Sequence, residues 1–192
     1  LAAKYPADAG IAKDPAVVLH EDFEGTGLDT KKWTDVSNKA GALNLVRQPE
    51  NVAGGKQALQ VTATMGKNTG GHLFARFDRG YDKLHARFMV KFADDIDYMH
   101  HFVNLAAELP ATKWPTGGAG ELPAGDKKFT VAIEPHRKED KYQPPGAWNF
   151  YCYWHRMPRS PDGKYWGAGF GGPYEQVPRG KWQCVEIMVT CN

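Results

Sequence analysis

The sequence predicts an all-β protein, on three observations. It carries 21 glycines and 13 prolines among 192 residues, more punctuation than a helical protein tolerates. Its apolar residues recur at alternate positions over short runs, which is the period of a half-buried strand. No segment of any length carries the 3.6-residue period of an amphipathic helix. Composition is that of a soluble globular protein, with 42% hydrophobic and 24% charged residues, and the length suits one sandwich with a sizeable core. The net charge of +2, without a run rich in Lys and Arg, argues against a nucleic-acid partner. Apolar runs of only a few residues predict no membrane-spanning segment.

Residues 1–15, loose in composition and rich in Ala and Pro, are expected as a flexible lead-in, and residues 16–192 as one β-sandwich domain. The first strand is expected at residues 16–23, around Val17, Val18 and Leu19, before the turn Glu24-Gly25-Thr26-Gly27. Short strands follow at 44–47, at 58–64 after the Gly54-Gly55 turn, and at 72–77 after Gly70-Gly71. Residues 83–92 form the longest alternating run, with Leu84, Ala86, Phe88, Val90 and Phe92 on one face and His85, Arg87, Met89 and Lys91 on the other. Strands at 101–105, 128–136, 148–156 and 182–190 complete the set.

Three connections exceed an ordinary hairpin loop. They are residues 110–126 with Gly117-Gly118-Ala119-Gly120, residues 137–147 with Pro144-Pro145-Gly146, and residues 158–178 with Tyr165, Trp166, Phe170 and Tyr174 among glycines. Long loops in a compact domain carry binding work or pin themselves with their own aromatics. Cys152, Cys184 and Cys191 are odd in number and lack a C-x-x-C pair. Cys184 and Cys191 lie seven residues apart, roughly 20 Å along one strand, too far to bridge without a turn. Unlinked thiols are the favoured expectation. The opening Leu1-Ala2-Ala3, with no initiator Met, reads as a processed end and points to a secreted or periplasmic protein.

The stretch from Trp148 to Arg156 holds five aromatic residues in seven positions. As a strand it puts Trp148, Phe150, Cys152 and Trp154 on one side and Asn149, Tyr151, Tyr153 and His155 on the other. The second face can stack and hydrogen-bond together, a combination suited to saccharides, whose C–H faces lie on rings while their hydroxyls take polar partners. The plain alternative is that Tyr and Trp fit any pleated, half-buried surface.

The Asp22-Phe23-Glu24 opening followed by Trp33, the run from Tyr81 to Phe92, the segment His100-His101-Phe102-Val103 and the late Lys181-Trp182 strand together resemble the concanavalin A-like lectin/glucanase superfamily. Within it, the chain is most similar to secreted polysaccharide-lyase-like and laminin-G-like jelly rolls, from about Val17 onward. The resemblance implies two curved antiparallel sheets with a glycan groove, and it implies further strands beyond Asn192. It departs from the glucanases: no E-x-D-x-x-E pair of carboxylates occurs, and retaining hydrolysis needs two carboxyls about 5 Å apart.

The chemistry left to such a groove is β-elimination on an acidic glycan, which needs a base, an acid and a clamp for the sugar carboxylate. The sequence offers His155 or His136 as base, Tyr153 as acid, and Arg87 or Asn104 as clamp, with Glu134, Tyr151, Asn149, His100 and Trp166 binding substrate. His100, Phe102 and Asn104 are expected on one strand face. No cofactor is required, although Asp22 or Glu24 is compatible with a structural calcium. A polysaccharide is the expected partner, and a protein partner is compatible with the sequence. Three functions follow: a polysaccharide lyase, a non-catalytic carbohydrate-binding module, and an extracellular structural or assembly subunit.

Overall fold

The computed structural model describes residues 1, 3–115 and 118–191, and of residues 172–174 the backbone alone. Gly117 and the ring of Tyr174, both expected in binding loops, lie outside the described residues. The architecture is mostly β and antiparallel, and no helix among the described residues reaches seven residues. The helical pieces among the described residues are four short 3-10 turns at Pro6–Asp8, Ile11–Lys13, Lys39–Gly41 and Pro49–Asn51. No described helix is long and apolar enough to cross a membrane.

The chain divides into two compact units. The first comprises Leu1–Tyr81 with Arg87–Met89, and the second Asp82–Ala86 with Val90–Asn192. The first holds β1 (Asp35–Ser37), β2 (Leu43–Val46), β3 (Ala58–Val61) and β4 (His72–Phe74), paired antiparallel as β1 with β4 and β2 with β3. In the expected lead-in, Asp14 takes the Tyr5 hydroxyl and the Lys4 ammonium, and Asp8 lies 2.7 Å from Arg87 Nε.

The strand expected at residues 16–23 does not form. Its acidic side chains take the backbone donors that a ladder would need: Glu21 Oε1 accepts the Phe23 N–H at 2.8 Å and Asp22 Oδ1 the Glu24 N–H at 3.1 Å. The Phe23 carbonyl is instead held by the buried amide of Gln57.

The second unit is built on β6 (Val103–Glu108), β7 (Lys128–His136), β8 (Ala147–Tyr153) and β9 (Ala168–Gln176), a sheet in that order. All three ladders are antiparallel. β5 (Lys83–Lys91) pairs with β10 (Trp182–Thr190). The expected bounds of β7 and β10 coincide with the observed ones. β9 falls where the sequence reads as loop, because its glycines hide the alternation that marks a strand.

Register divides the four-stranded sheet into two unlike faces. Opposed residues share a face, and one face is apolar: Leu105, Val131 and Cys152 align on it, as do Val103, Ile133, Phe150 and Phe170. Phe92 packs there against Phe102 and Trp148 at ring distances of 5.6 and 5.8 Å. On the other face, Asn104, Ala132, Tyr151 and Gly169 align, and beside them Glu134, Asn149 and Gly171. The Tyr151 side chain on β8 thus sits between small residues on β7 and β9, which leaves room for its ring.

Candidate functional site

Adjacent residues on an extended strand point to opposite sides, yet the rings of His100 and His101 stack with centroids 3.8 Å apart. The cause is backbone conformation: His101 has φ +63°, in the left-handed region. Both residues therefore precede β6 rather than belonging to it. The expectation that His100, Phe102 and Asn104 share one strand face is corrected: Phe102 goes with the apolar cluster, and His100 turns to the polar face.

Glu134 on β7 holds the pair in place. Its side chain is 1% exposed, with Oε1 2.8 Å from His100 Nδ1 and Oε2 accepting the His101 N–H at 2.8 Å. A buried carboxylate needs such partners. As an acceptor it fixes the proton of His100 on Nδ1 and leaves the Nε2 lone pair free, and the imidazole is 54% exposed. His101 is kept neutral to lower pH than an ordinary imidazole, chiefly by burial and next by the neighbouring His100, with Glu134 acting in the opposite sense.

The third side is built by β8. The Tyr151 ring meets His100 edge-on at 4.8 Å, and its hydroxyl lies 3.3 Å from that of Tyr153. The same hydroxyl oxygen accepts the Gly167 N–H at 3.0 Å, which directs its own proton elsewhere. Burial, then the Tyr153 hydroxyl, hold the Tyr151 phenol well above its ordinary value and so protonated. A Cβ at Gly167 would fall 2.2 Å from Tyr151 Cζ, so only glycine lets the ring lie there.

Of the residues named from sequence, His100, Glu134, Tyr151 and Tyr153 come together, with Asn149 buried opposite Glu134 in the ladder and Asn104 on the same face. The others go elsewhere. β8 ends at Tyr153, and the His155 ring lies against Gly125, where a Cβ would stand 2.8 Å from its Cγ. His136 ends β7 exposed, its Nδ1 accepting the Lys138 N–H at 3.1 Å. Arg87 is counted with the first unit and pairs with Asp8. Trp166 is exposed and donates to Asp162 at 2.8 Å. Two residues absent from the expected set, His101 and Gly167, prove central to the cluster. The signal for the first was the His doublet itself, and for the second a glycine two positions before Gly169, facing the tyrosines.

One metal-ligand atom from each of His100, His101 and Glu134 lies within 4.8 Å of the others. Ligands on opposite sides of a zinc ion stand no more than about 4.2 Å apart, so the rings would have to close in, and both Glu134 oxygens are already engaged. Calcium wants 6 to 8 oxygen ligands, and this cluster supplies one carboxylate. The arrangement as it stands is a hydrogen-bonded cluster of two imidazoles, one carboxylate and two phenols. Cys152, Cys184 and Cys191 are free thiols. No family model, curated protein or solved structure matches this chain.

Proposed function

We propose that the protein is a polysaccharide lyase that cleaves an acidic glycan by β-elimination at the His100–Tyr151 centre. The observation that carries this reading is the pairing of an oriented, exposed imidazole with a protonated phenol 4.8 Å away on one side of the cluster. His100 Nε2 takes the C5 proton of the uronate. The released electron pair forms the C4–C5 double bond, the C4–O bond breaks, and the Tyr151 hydroxyl protonates the leaving oxygen. Base and acid on one side suit removal of groups from the same face of the ring. The neutral His101 ring and the Asn149 amide receive the sugar carboxylate. The roles given to His155, His136 and Tyr153 from sequence thus pass to His100 and Tyr151, and that given to Arg87 passes to His101 and Asn149.

Hydrolysis is the weaker reading, since Glu134 is the one carboxylate in the cluster among the described residues and a glycosidase needs two. The concanavalin A-like jelly roll is part of the proposal: Phe92, beside β5, and Gln183 of β10 both meet Trp148 on the apolar face of the four-stranded sheet. Secretion fits a polymeric substrate. The test is ultraviolet absorbance of unsaturated products during incubation with a panel of acidic polysaccharides. Absorbance that rises with the native protein and not with His100→Ala supports the lyase. Binding without absorbance supports the carbohydrate-binding module instead, and neither leaves a structural subunit.

A further inference from the structure

The first unit contains a cleft of about 750 Å³, within the size of small-ligand sites, formed where residues 18–20, 31–32 and 75–81 meet. Its charge is one-sided. Lys31, Lys32, Arg76 and Arg79 face the single carboxylate of Asp78 among the residues lining it, a surplus of three cations. The whole chain, with 24 basic and 22 acidic residues, has a surplus of only two. Glu21 approaches Lys32 at 3.7 Å and offsets part of the field. Clefts that gather one sign of charge concentrate the opposite sign in a ligand.

The aromatic lining narrows the ligand further. Phe77 and Tyr81 meet edge to face at 5.9 Å, and the Arg79 guanidinium lies over the Tyr81 ring at 4.9 Å. The Tyr81 face is thus taken by a cation and offers no open platform for a nucleobase, as single-stranded nucleic-acid sites do. The remaining apolar surface, with Val18 and Leu19, suits the C–H faces of a sugar beside its acidic groups. We infer that this cleft is a second saccharide site, one that holds a short stretch of uronate chain through Lys31, Lys32 and Arg79. The cleft shares no residue with the acid–base centre, and all its lining belongs to the first unit.

The test is calorimetric titration of the full chain with a galacturonate tetramer and a neutral glucose tetramer, at low salt and at about 0.5 M salt. The expected result is binding of the acidic tetramer only, weakened by salt, and weakened about tenfold or more in Lys31→Glu/Arg79→Glu but not in the charge-matched control Lys13→Glu/Lys181→Glu, whose exposed lysines lie outside the cleft. Should the charge-reversed chain not fold, Lys31→Gln/Arg79→Gln serves, with a smaller loss expected. Equal binding of both tetramers, or unchanged affinity in the folded cleft variants, overturns the inference. Loss of binding in Glu134→Gln and not in the cleft variants also overturns it, while leaving the lyase proposal standing. A single-stranded oligonucleotide that binds as tightly as the galacturonate overturns the saccharide assignment.

Discussion

Glu134 Oε1 and His100 Nδ1 lie 2.8 Å apart, one on a buried carboxylate and the other on a ring that is 54% exposed. The contact turns a flexible surface histidine into an aimed one. Glu134→Gln keeps the shape but can present an N–H to Nδ1, which would turn the tautomer round and place the proton on Nε2. Elimination activity is expected to fall by about a hundredfold or more, read as the initial rate of absorbance increase, with a modest change in melting temperature. Activity within a few-fold of native would remove His100 from the role of base.

Truncating the same residue has a different outcome. Glu134→Ala leaves the His101 N–H without its acceptor and opens a void beneath the two rings. A loss of roughly 1–3 kcal/mol is expected from the orphaned donor, measured by chemical denaturation. Equal stabilities for the Ala and Gln variants would mean that the carboxylate contributes little to holding the His pair.

Gly167→Ala would drive a methyl group into the Tyr151 ring, since Cβ would stand 2.2 Å from Cζ. The ring or β9 must shift, at a cost of about 1–3 kcal/mol in unfolding free energy. Tyr151→Phe, which keeps the ring and deletes the hydroxyl, should lower activity with less effect on stability. A Gly167→Ala protein with native melting and native activity would contradict this packing.

Stability should fall on mild acidification. The unfolded His101 titrates near 6.5, and in the folded chain its value is lowered, first by burial and then by His100. Between the two values the unfolded chain binds a proton that the folded chain refuses, so stability falls as pH drops from about 6.5 through the folded value. Above that window the contribution is complete. His101→Asn should flatten this part of the stability profile, and an unchanged slope would assign it to another group.

Thiol labelling should proceed in a set order. Cys184 and Cys191 are exposed, whereas burial pushes the half-buried Cys152 up to about 11. A maleimide reagent at neutral pH should therefore modify Cys152 last, because the thiolate is the nucleophile. Mass spectrometry of a time course reads the order directly.

The strands legible in the sequence are those whose alternation is undiluted. β7 is readable to the residue because Phe129, Val131, Ile133 and Pro135 recur at a two-residue period, and β10 is marked by the shorter alternation of Val185, Ile187 and Val189. β9 is not, since glycines replace the side chains that reveal a period. Residues 16–23 mislead in the opposite direction: three apolar residues suggest a strand, but Glu21 and Asp22 satisfy local donors first. In the site, Glu134, Tyr151 and Tyr153 follow from parity along β7 and β8. The participation of His101 does not, because one left-handed residue reverses the side on which a ring emerges, and parity rules assume extended backbone throughout. His155 fails for the related reason that β8 ends two residues earlier.

That same twist at position 101 sets durability against chemistry. Glycine there would relax a backbone that an imidazole-bearing residue occupies at an energetic penalty of about 1 kcal/mol, and the molecule would gain robustness while surrendering one of its two stacked rings. Breeding this protein for heat tolerance alone would therefore erode its most distinctive corner first.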